Sequence, residues 1–536
     1  MSTREQYIKL ALSYLPHIIQ LVDRNPYSPS YGCFDREYWH YKTHDFPCGM
    51  SQKMVLPLAL LYKNEYPGNH YYQWERLKEL SIAGIKFAVK SSHRNGSCDD
   101  YFPYEQALGA LVFSTYAFTE VYQLLELDDE QLLDFFKLRG DFLINNDESG
   151  RLANHQALAA LALYNIYLVC GNERYKRASE DRVNIALSWQ HADEGWFQEY
   201  EGADPGYQTC TIDFLAKLLQ KSNWTSLVKP LIKAVDFAGY FMHPDGSYGG
   251  EYGSRNTYHF YPHGFEIMAR YNNKALQMNE LFFKGVKNGK RYFNEDDRMC
   301  SHTVSNWLQA YEDYWPDRNI YNTEDVNYEK WFADAGLFIK RNNKYHAVCN
   351  LKKGGVIKVH DSNHCLYSDT GMIGELKNGS VIVSHLHDEV NLIEVNPEES
   401  CLCVEGVFAY RNSKYFNPVK LIVFRLVNIT IGKYFPNILR TIVQKILITQ
   451  KPRTNYKFRR KVSFAVDGVT VVDEINKPIP LSRLSIGSDA TSIYVANSNV
   501  YQESVLRCSW KHASGDLIKK AREGAMTWSR KIKNMG

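Results

Sequence analysis

The sequence predicts two domains, a ring of helical hairpins (an α/α-toroid) followed by an antiparallel β-sandwich. Three observations support this fold class. The chain has 536 residues, which is too long for one ordinary domain. Short Asp/Gly-rich segments recur in the first 320 residues, and short alternating segments fill the last 200. We therefore expect the toroid over residues 1–320 and the sandwich over 330–536, with a linker at 319–327.

The repeat in the first domain consists of four Asp/Gly-rich segments. They contain Asp99, Asp147, Asp193 and Asp245, at intervals of 48, 46 and 52 residues. A fixed period of this size indicates a repeated supersecondary unit. Apolar residues between the segments follow a helical period, and residues 157–163 are a run of Ala and Leu with high helix propensity. Each unit has room for two helices, so the repeat predicts a helical hairpin.

A closed ring of such hairpins would place all the Asp/Gly turns at one end, each leading into the N-terminus of a helix. Helix N-termini carry free N–H groups and a positive partial charge, which suits a carboxylate ligand. The same repeat is also compatible with a protein-binding solenoid that has no small-molecule site. Tyr, His, Arg and Trp in the turns favour a site.

From about Trp331 the pattern changes to β-branched, alternating segments separated by Gly and Asn, which predicts a β-sandwich. Residues 417–448 stand apart, because they are apolar but interrupted by five cations. These cations are Lys420, Arg425, Lys433, Arg440 and Lys445. No uncharged stretch approaches membrane-spanning length, so no integral membrane segment is expected. A membrane-surface helix and an insertion that packs on the toroid both remain open.

Composition excludes some classes of function and leaves others open. A net charge of +3 gives no indication of a nucleic-acid binder. Aromatic residues make up 14% of the chain, which fits either sugar binding or a large core. Eleven cysteines without CxxC pairs favour reduced thiols inside a cell. No secretory signal is visible, so we expect a cytoplasmic protein, with membrane-surface association or another export route still open. The oligomeric state is not indicated.

Four segments contain residue types that suit sugar chemistry. Asn154 and His155 begin a predicted inner helix, where a capping Asn and a structural His are the alternative explanation. The other candidates come from the third turn, from a Gly-rich loop and from an early aromatic stretch, and each of these segments could equally be structural. They are Trp196, Glu199 and Tyr200; Arg255, Tyr258, His259, Tyr261 and His263; and Trp39 and Tyr41.

The order of a helical toroid, an Asn-His pair, a later Tyr-His-x-Tyr cluster and a β-domain resembles the heparinase II/III and alginate-lyase type of polysaccharide lyases. The resemblance implies that Asn154 and His155 bind a uronate carboxylate and that Tyr258, or alternatively Tyr261, is the base or acid. It also implies that His385 closes the site from the β-domain. Some relatives hold a structural zinc there, but His387 and Glu405 alone do not make a zinc site, so we expect no metal and no cofactor.

The resemblance implies an enzyme that cleaves a uronic-acid-containing, anionic polysaccharide or oligosaccharide by β-elimination. The catalytic Tyr would need a lowered pKa, for which Arg255, His259 and His263 are the candidate cations. A glycoside hydrolase on the same toroid is one alternative, with two carboxylates from the set Asp99, Asp100, Asp193, Glu199 and Asp245. A non-catalytic polysaccharide-binding protein in surface-glycan production is the other.

Overall fold

The computed structural model describes residues 3–148, 150–318, 327–389, 391–396, 400–411, 417–444, 452–493 and 495–533. Helices form the first part of the chain and strands form most of the second. The helices are α1 (Thr3–Leu21), α2 (Arg36–Trp39), α3 (Val55–Lys63), α4 (Glu75–Ser91), α5 (Leu108–Leu124), α6 (Glu130–Asn145), α7 (Ala153–Cys170), α8 (Glu173–Ser188), α9 (Pro205–Ser222), α10 (Val228–Gly239), α11 (Pro262–Met268), α12 (Asn273–Lys287), α13 (Cys300–Glu312), α14 (Pro418–Val427), α15 (Pro436–Gln444), α16 (Glu503–Arg507) and α17 (Gly515–Glu523).

The first thirteen helices close into the expected α/α-toroid. In the described chain the inner ring consists of α3, α5, α7, α9, α11 and α13, where each helix packs on the next and α13 packs back on α3. The outer helices α4, α6, α8, α10 and α12 each pack on an inner one, and α1 packs on α13. Inner helices are buried nearly all round: in α7 the run of Ala and Leu is buried at every position. Small side chains there allow the inner helices to approach closely.

The Asp/Gly segments form the turns that lead into inner helices, as the repeat predicts. In two of them, Asn95 Oδ1 and Asp245 Oδ1 each accept hydrogen bonds from the backbone N–H and the hydroxyl of the serine two residues later. The glycine between them has a φ of +79° or +84°, which disfavours other residues. Because these turns all connect an outer helix to the next inner one, they gather at one end of the ring.

The second half is a sandwich of two antiparallel sheets. One sheet has the order β3-β4-β5-β6-β7, and the other has the order β15-β14-β8-β9-β11-β12-β13-β16, with β10 added beside β11. The strands are β1 (Gln198–Glu199), β2 (Gly202–Ala203), β3 (Tyr328–Phe332), β4 (Leu337–Arg341), β5 (His346–Asn350), β6 (Val356–His360), β7 (Cys365–Asp369), β8 (Met372–Leu376), β9 (Val381–Val383), β10 (Leu392–Asn396), β11 (Cys401–Tyr410), β12 (Arg453–Ala465), β13 (Gly468–Ile475), β14 (Leu481–Ile486), β15 (Lys511–His512) and β16 (Met526–Lys533).

The two sheets share one apolar core, to which Ile357 and Val359 contribute from one side and Val404 and Val462 from the other. The opposite face of the smaller sheet packs on the toroid through residues such as Leu337. The β-domain therefore covers one end of the ring, and α/α-toroid plus antiparallel β-domain is the observed fold class. The predicted linker lies outside the described residues apart from 327, so the boundaries at 320 and 330 stay predictions.

The turn between α10 and α11 is held by the β-domain. Lys353 donates its ammonium group to the backbone carbonyls of Glu251 and Gly253, the second at 2.7 Å, and Asn350 donates to the carbonyl of Tyr252 at 2.6 Å. Buried carbonyls paired in this way have a fixed position. The β-domain thus fixes the loop that contains the predicted Arg255–His263 cluster.

Residues 417–444 form a helical hairpin, α14 and α15, joined by a short π-helical turn. The hairpin lies against the toroid: Arg425 forms an ion pair with Asp45 at 2.9 Å, and Arg440 donates to the carbonyl of Gln106 at 2.8 Å. This agrees with an insertion that packs on the toroid. Residues 445–448 of the predicted segment lie outside the described part. None of the described helices has both the length and the apolar character needed to cross a membrane.

Candidate active site

The Asn-His pair lies at the first turn of inner helix α7, as the sequence predicts. The Asn154 side chain donates to both carboxylate oxygens of Glu199, each at 2.9 Å, and its backbone N–H donates to the same group at 3.0 Å. Glu199 comes from the short hairpin of β1 and β2, which precedes the next inner helix, α9. Burial raises the pKa of Glu199 to about 7, although the hydrogen bonds from Asn154 and the charge of Arg255 oppose the shift.

His155 forms a pair with Glu148, whose carboxylate lies 2.9 Å from Nδ1. Glu148 belongs to the Asp/Gly turn immediately before α7. The histidine is only partly buried, so its ring remains accessible from the cleft. A carboxylate on Nδ1 orients the ring and makes Nε2 the basic nitrogen, which is the usual arrangement of a histidine that moves protons.

Arg255 is a buried cation whose guanidinium lacks ion-pair partners. Its backbone N–H donates to Asp204 at 2.8 Å, which anchors the loop to the N-cap of α9. The guanidinium lies 4.1 Å above the ring of Tyr200 and 5.5 Å from that of Tyr207. Among the described residues, its Nε and Nη1 have no hydrogen-bond acceptor. An unpaired buried cation is costly, so this position suits an anionic ligand.

A wall of rings continues from Arg255 around the centre of the toroid. Tyr207 contacts His259 with ring centroids 4.9 Å apart, His259 contacts Tyr261 at 5.3 Å, and Tyr261 contacts His302 at 4.9 Å. Phe113 then lies 5.1 Å from His302 and 6.3 Å from His155, which completes the circuit. Every member comes from the first half of an inner helix or from the turn before it.

Burial favours the neutral form of two histidines in this wall, His259 and His302. Burial lowers the pKa of His259 to about 3 and lowers that of His302 well below its usual value. Within the described structure, His259 Nδ1, His302 Nε2 and Asn154 Oδ1 have no hydrogen-bond partner. Unsatisfied buried polar atoms are rare in folded proteins, and their concentration on one surface indicates a ligand cleft.

Tyr258 does not belong to this wall. Lys358 from the β-domain lies 5.4 Å from its ring centroid and forms an ion pair with Glu251 at 2.7 Å. The expected lowering of its pKa is not observed: burial, with the nearby carboxylate, raises the pKa well above the usual value.

The two other predicted histidines have partners outside the cleft wall. His263 Nε2 lies 2.7 Å from an Asp313 carboxylate oxygen, a buried contact between α11 and the end of α13. His385 Nε2 lies 2.7 Å from the hydroxyl of Ser492, and burial lowers the pKa of His385 to about 3.

His387 is the β-domain histidine that lies next to the cleft. A Cβ atom on Gly202, beside Glu199, would be 3.0 Å from its Nε2. Glu405, the other residue considered for zinc, instead pairs with Arg459 at 3.2 Å.

The predicted aromatic residues divide into two groups. Tyr200 lies under Arg255 in the cleft, with a φ of +56° that bends the chain there. Trp196 is buried and donates its indole N–H to Glu194 at 2.8 Å, and Trp39 donates to the carbonyl of Leu21 at 2.8 Å. Tyr41 is 54% exposed. The contacts of the last three involve the scaffold and not the Asn154–Arg255 cluster.

Two other features lie apart from the cleft wall. A cavity of about 430 Å³ lies before α5, where His93, Asp99, Tyr104 and Arg139 line it together with Ile429 of the hairpin. Of the predicted candidates it contains only Asp99, one of the carboxylates considered for a hydrolase. We place the site in the cleft because the buried guanidinium of Arg255, with two unpaired nitrogens, lies there near the Asn154–Glu199 pair. His191, Glu194 and Asp334 approach closely enough to hold a metal ion, but both oxygens of Glu194 already accept hydrogen bonds from Trp196 and from the backbone of 334 and 335.

Comparison with solved structures supports the fold. Chondroitin AC lyase from Streptomyces coelicolor A3 aligns with a TM-score of 0.54 at 9% identity, over 90% of this chain and 67% of that one. Heparinase III aligns with a TM-score of 0.43 at 12% identity, over 89% and 76%. Cellobiose 2-epimerase from Bacillus thermoamylovorans gives 0.45 at 13% identity, over 58% and 100%.

No protein-family model matches the chain, and no curated protein matches it by sequence. At these identities the structural comparisons establish the fold. The chain therefore has the lyase-like α/α-toroid fold with a following β-domain, and the resemblance predicted from the sequence is confirmed at that level.

Proposed function

We propose that this protein is a polysaccharide lyase that cleaves a uronic-acid-containing polysaccharide by β-elimination. The observation that carries the proposal is Arg255, a buried guanidinium with two unpaired nitrogens in a cleft lined by Tyr and His. The substrate would be anionic, since only a negative group offsets the cost of this cation. The fold that the chain shares with chondroitin AC lyase supports a lyase on this scaffold.

The first requirement of the reaction is to neutralise the uronate carboxylate, because the C5 proton is only weakly acidic while that group is ionised. Arg255 would do this through its Nε and Nη1. Asn154, the group expected from the resemblance, already donates its amide group to Glu199, and its Oδ1, which has no partner among the described residues, is an acceptor. We therefore assign carboxylate binding to Arg255 and a positioning role to Asn154. Such an interaction typically accelerates reactions by roughly 10²–10³-fold.

The second requirement is a proton acceptor and a proton donor. His155, with Nδ1 held by Glu148, would take the C5 proton on Nε2. The C4–O bond then breaks, a C4=C5 double bond forms, and the leaving oxygen takes a proton from a phenol. Tyr207 is the phenol that fits, because it lies beside Arg255 and His259 and is only partly buried. Burial keeps the pKa of Tyr207 above its usual value, so the phenol is protonated and ready to donate.

The test is turnover of uronate polysaccharides, followed by the ultraviolet absorbance of the unsaturated product. Tyr207→Phe should lower kcat/KM by roughly 10²–10⁴-fold, the usual contribution of a positioned proton transfer. Tyr41→Phe, at an exposed tyrosine, is the matched control and should leave turnover unchanged. If Tyr258→Phe abolished turnover and Tyr207→Phe did not, the assignment of the acid would be wrong.

The same assay separates the two alternatives. A hydrolase would use a carboxyl group as general acid, and Glu199 is the candidate because its pKa is about 7. Saturated products, with no new absorbance, would favour that reaction over elimination. Polymer binding by the parent protein with no turnover of any substrate would favour a binding protein and reject the enzyme proposal.

A further inference from the structure

The hairpin of α14 and α15 has its apolar side chains on the outside. Ile422 and Leu426 on α14 and Ile438 and Ile442 on α15 each expose half or more of their surface. Surface helices of globular proteins show the opposite pattern, with the apolar stripe facing the core. An exposed apolar surface that spans two neighbouring helices marks a place where the protein meets an apolar partner.

The inner side of the same hairpin makes both polar and apolar contacts. Arg425 reaches Asp45, Arg440 reaches the carbonyl of Gln106, and Phe424 packs on Phe102 of the toroid with ring centroids 5.4 Å apart. Asn428 and Leu439 are buried. These contacts fix the hairpin to the rim of the toroid, so its outer face has a defined orientation. Arg440 Nη1 also lies 3.9 Å from Glu148, the partner of His155, so the hairpin borders the cleft.

The connection between the two helices contributes two exposed aromatic residues, Tyr434 at 71% and Phe435 at 57%. Aromatic rings with this exposure are characteristic of membrane–water interfaces, where the ring enters the acyl boundary and a polar tip stays in the headgroups. Lys420 and Lys433 are exposed on the same hairpin. Together these residues match an amphipathic element that lies in the plane of an interface.

Charge indicates which partner the face fits. Residues 417–444 contain four Lys and Arg and no Asp or Glu, and Lys420 and Lys433 among them are exposed. Such a segment attracts an anionic surface at about 1 kcal/mol for each cation near that surface. A second copy of the hairpin would place cations against cations, which disfavours a self-association face.

We propose that the hairpin of residues 417–444 docks the protein on the surface of a lipid bilayer that contains anionic lipid. The apolar side chains enter the boundary between headgroups and acyl chains, and the lysines contact the headgroups. The element lies in the interface and does not cross it. The apolar side chains and the lysines together require a partner with an apolar layer beneath a negatively charged surface. A protein partner seldom presents such a layer over an area as wide as two helices.

The test is flotation of the full-length protein with vesicles. Vesicles of phosphatidylcholine mixed with phosphatidylglycerol should carry the protein to the top of the gradient, and more weakly at high salt. Vesicles of phosphatidylcholine alone should carry much less of it. An absence of flotation with both compositions overturns the proposal.

Matched variants locate the contact. Ile422→Ser with Ile438→Ser should weaken partition at least roughly tenfold, because two exposed apolar side chains lose their burial in lipid. Val466→Ser with Leu506→Ser changes two equally exposed apolar residues outside the hairpin and should have no effect. Equal losses in both pairs would overturn the proposal. Thermal unfolding verifies that both pairs fold.

Two more measurements test the role of the lysines and the location of the membrane contact. Lys420→Gln with Lys433→Gln should weaken binding to anionic vesicles roughly fivefold per lysine and leave neutral vesicles unaffected. Hydrogen exchange should slow in peptides from 417–444 when anionic vesicles are added. Protection confined to another surface overturns the proposal. The proposal is also overturned if the parent protein does not bind vesicles but forms a dimer, and the double variant Ile422→Ser with Ile438→Ser is monomeric.

Discussion

Two buried arginines, Arg460 in the β-domain and Arg255 in the toroid, show how differently the same residue can be used. Arg460 is fully buried and donates to Asp473 at 2.6 and 2.9 Å, to Asp369 at 2.8 Å and to the carbonyl of Gly355 at 3.1 Å. Arg530 joins the same two carboxylates. The guanidinium of Arg255 lies against two aromatic rings, and among the described residues its Nε and Nη1 have no hydrogen-bond acceptor. The comparison teaches that burial of an arginine does not by itself indicate function, whereas a buried guanidinium whose nitrogens lack hydrogen-bond acceptors points to a ligand.

The largest loss of stability should come from replacing Arg460, the arginine that is paired with carboxylates. Arg460→Met leaves two buried carboxylates with one cation, so the free energy of unfolding should fall by about 3–5 kcal/mol. Urea denaturation measures it. Arg453→Met is the matched control, since Arg453 is half-exposed beside Asp388 and the change should cost about 1 kcal/mol or less. Equal losses in the two variants would mean that the buried network is not stronger than a surface pair.

The unpaired arginine should behave in the opposite way. Arg255→Gln should lower kcat/KM on the substrate by roughly 10²–10³-fold, because the carboxylate loses its cation. The free energy of unfolding should stay within about 1 kcal/mol or rise, since an uncompensated charge is removed. A loss of stability as large as that of Arg460→Met would show that Arg255 is structural, and the two arginines would no longer differ.

Glu199 extends the comparison to a buried acid, whose contribution to the free energy of unfolding should depend on pH. Its pKa is raised to about 7 in the folded state, so between its unfolded value and pH 7 the folded protein binds more protons. The stability it contributes is therefore present at low pH and is lost as pH rises through about 7. The full effect is up to about 3 kcal/mol. The free-energy difference between the parent and Glu199→Gln should change by this amount between pH 4.5 and 8. A difference that is constant with pH would contradict the raised pKa.

The smallest effect is expected at a residue that only supports the framework. Trp196→Phe removes the hydrogen bond to Glu194 and should lower the free energy of unfolding by about 1 kcal/mol. Turnover should not change, because the indole contacts the scaffold and not the cleft. Changes in KM with unchanged stability would instead place Trp196 in substrate binding.

Much of the fold follows from local chemistry. The Asp/Gly segments predict the turns because Asn95 and Asp245 cap their own loops and the next glycine takes a positive φ. The run of Ala and Leu in residues 157–163 predicts an inner helix because only small side chains fit there. Short turns between strands are harder to predict: β12 and β13 are separated only by residues 466–467, within a continuous β-branched stretch of sequence.

The site was harder to predict, since it depends on contacts between distant residues. Asn154 and His155 could be placed from the sequence because they start a helix after a turn. The choice of Tyr258 could not be checked in this way, because the ion pair between Glu251 and Lys358 that surrounds it joins two domains. Tyr207 could not be singled out from the sequence, because the role proposed for it depends on Arg255, which lies in the following turn.

The closure of the ring joins the two ends of the toroid. Arg4 on α1 donates to the carbonyl of Tyr311 at 2.8 Å, across 307 residues of chain, and α1 buries Leu15 and Ile18 against its neighbours. During synthesis this first helix lacks its contacts with α11, α12 and α13 until those helices have left the ribosome. Its apolar face must stay exposed or be shielded by a chaperone for that interval, and the long loop that must close makes this step slow. A nascent chain released before residue 300 would therefore be expected to aggregate.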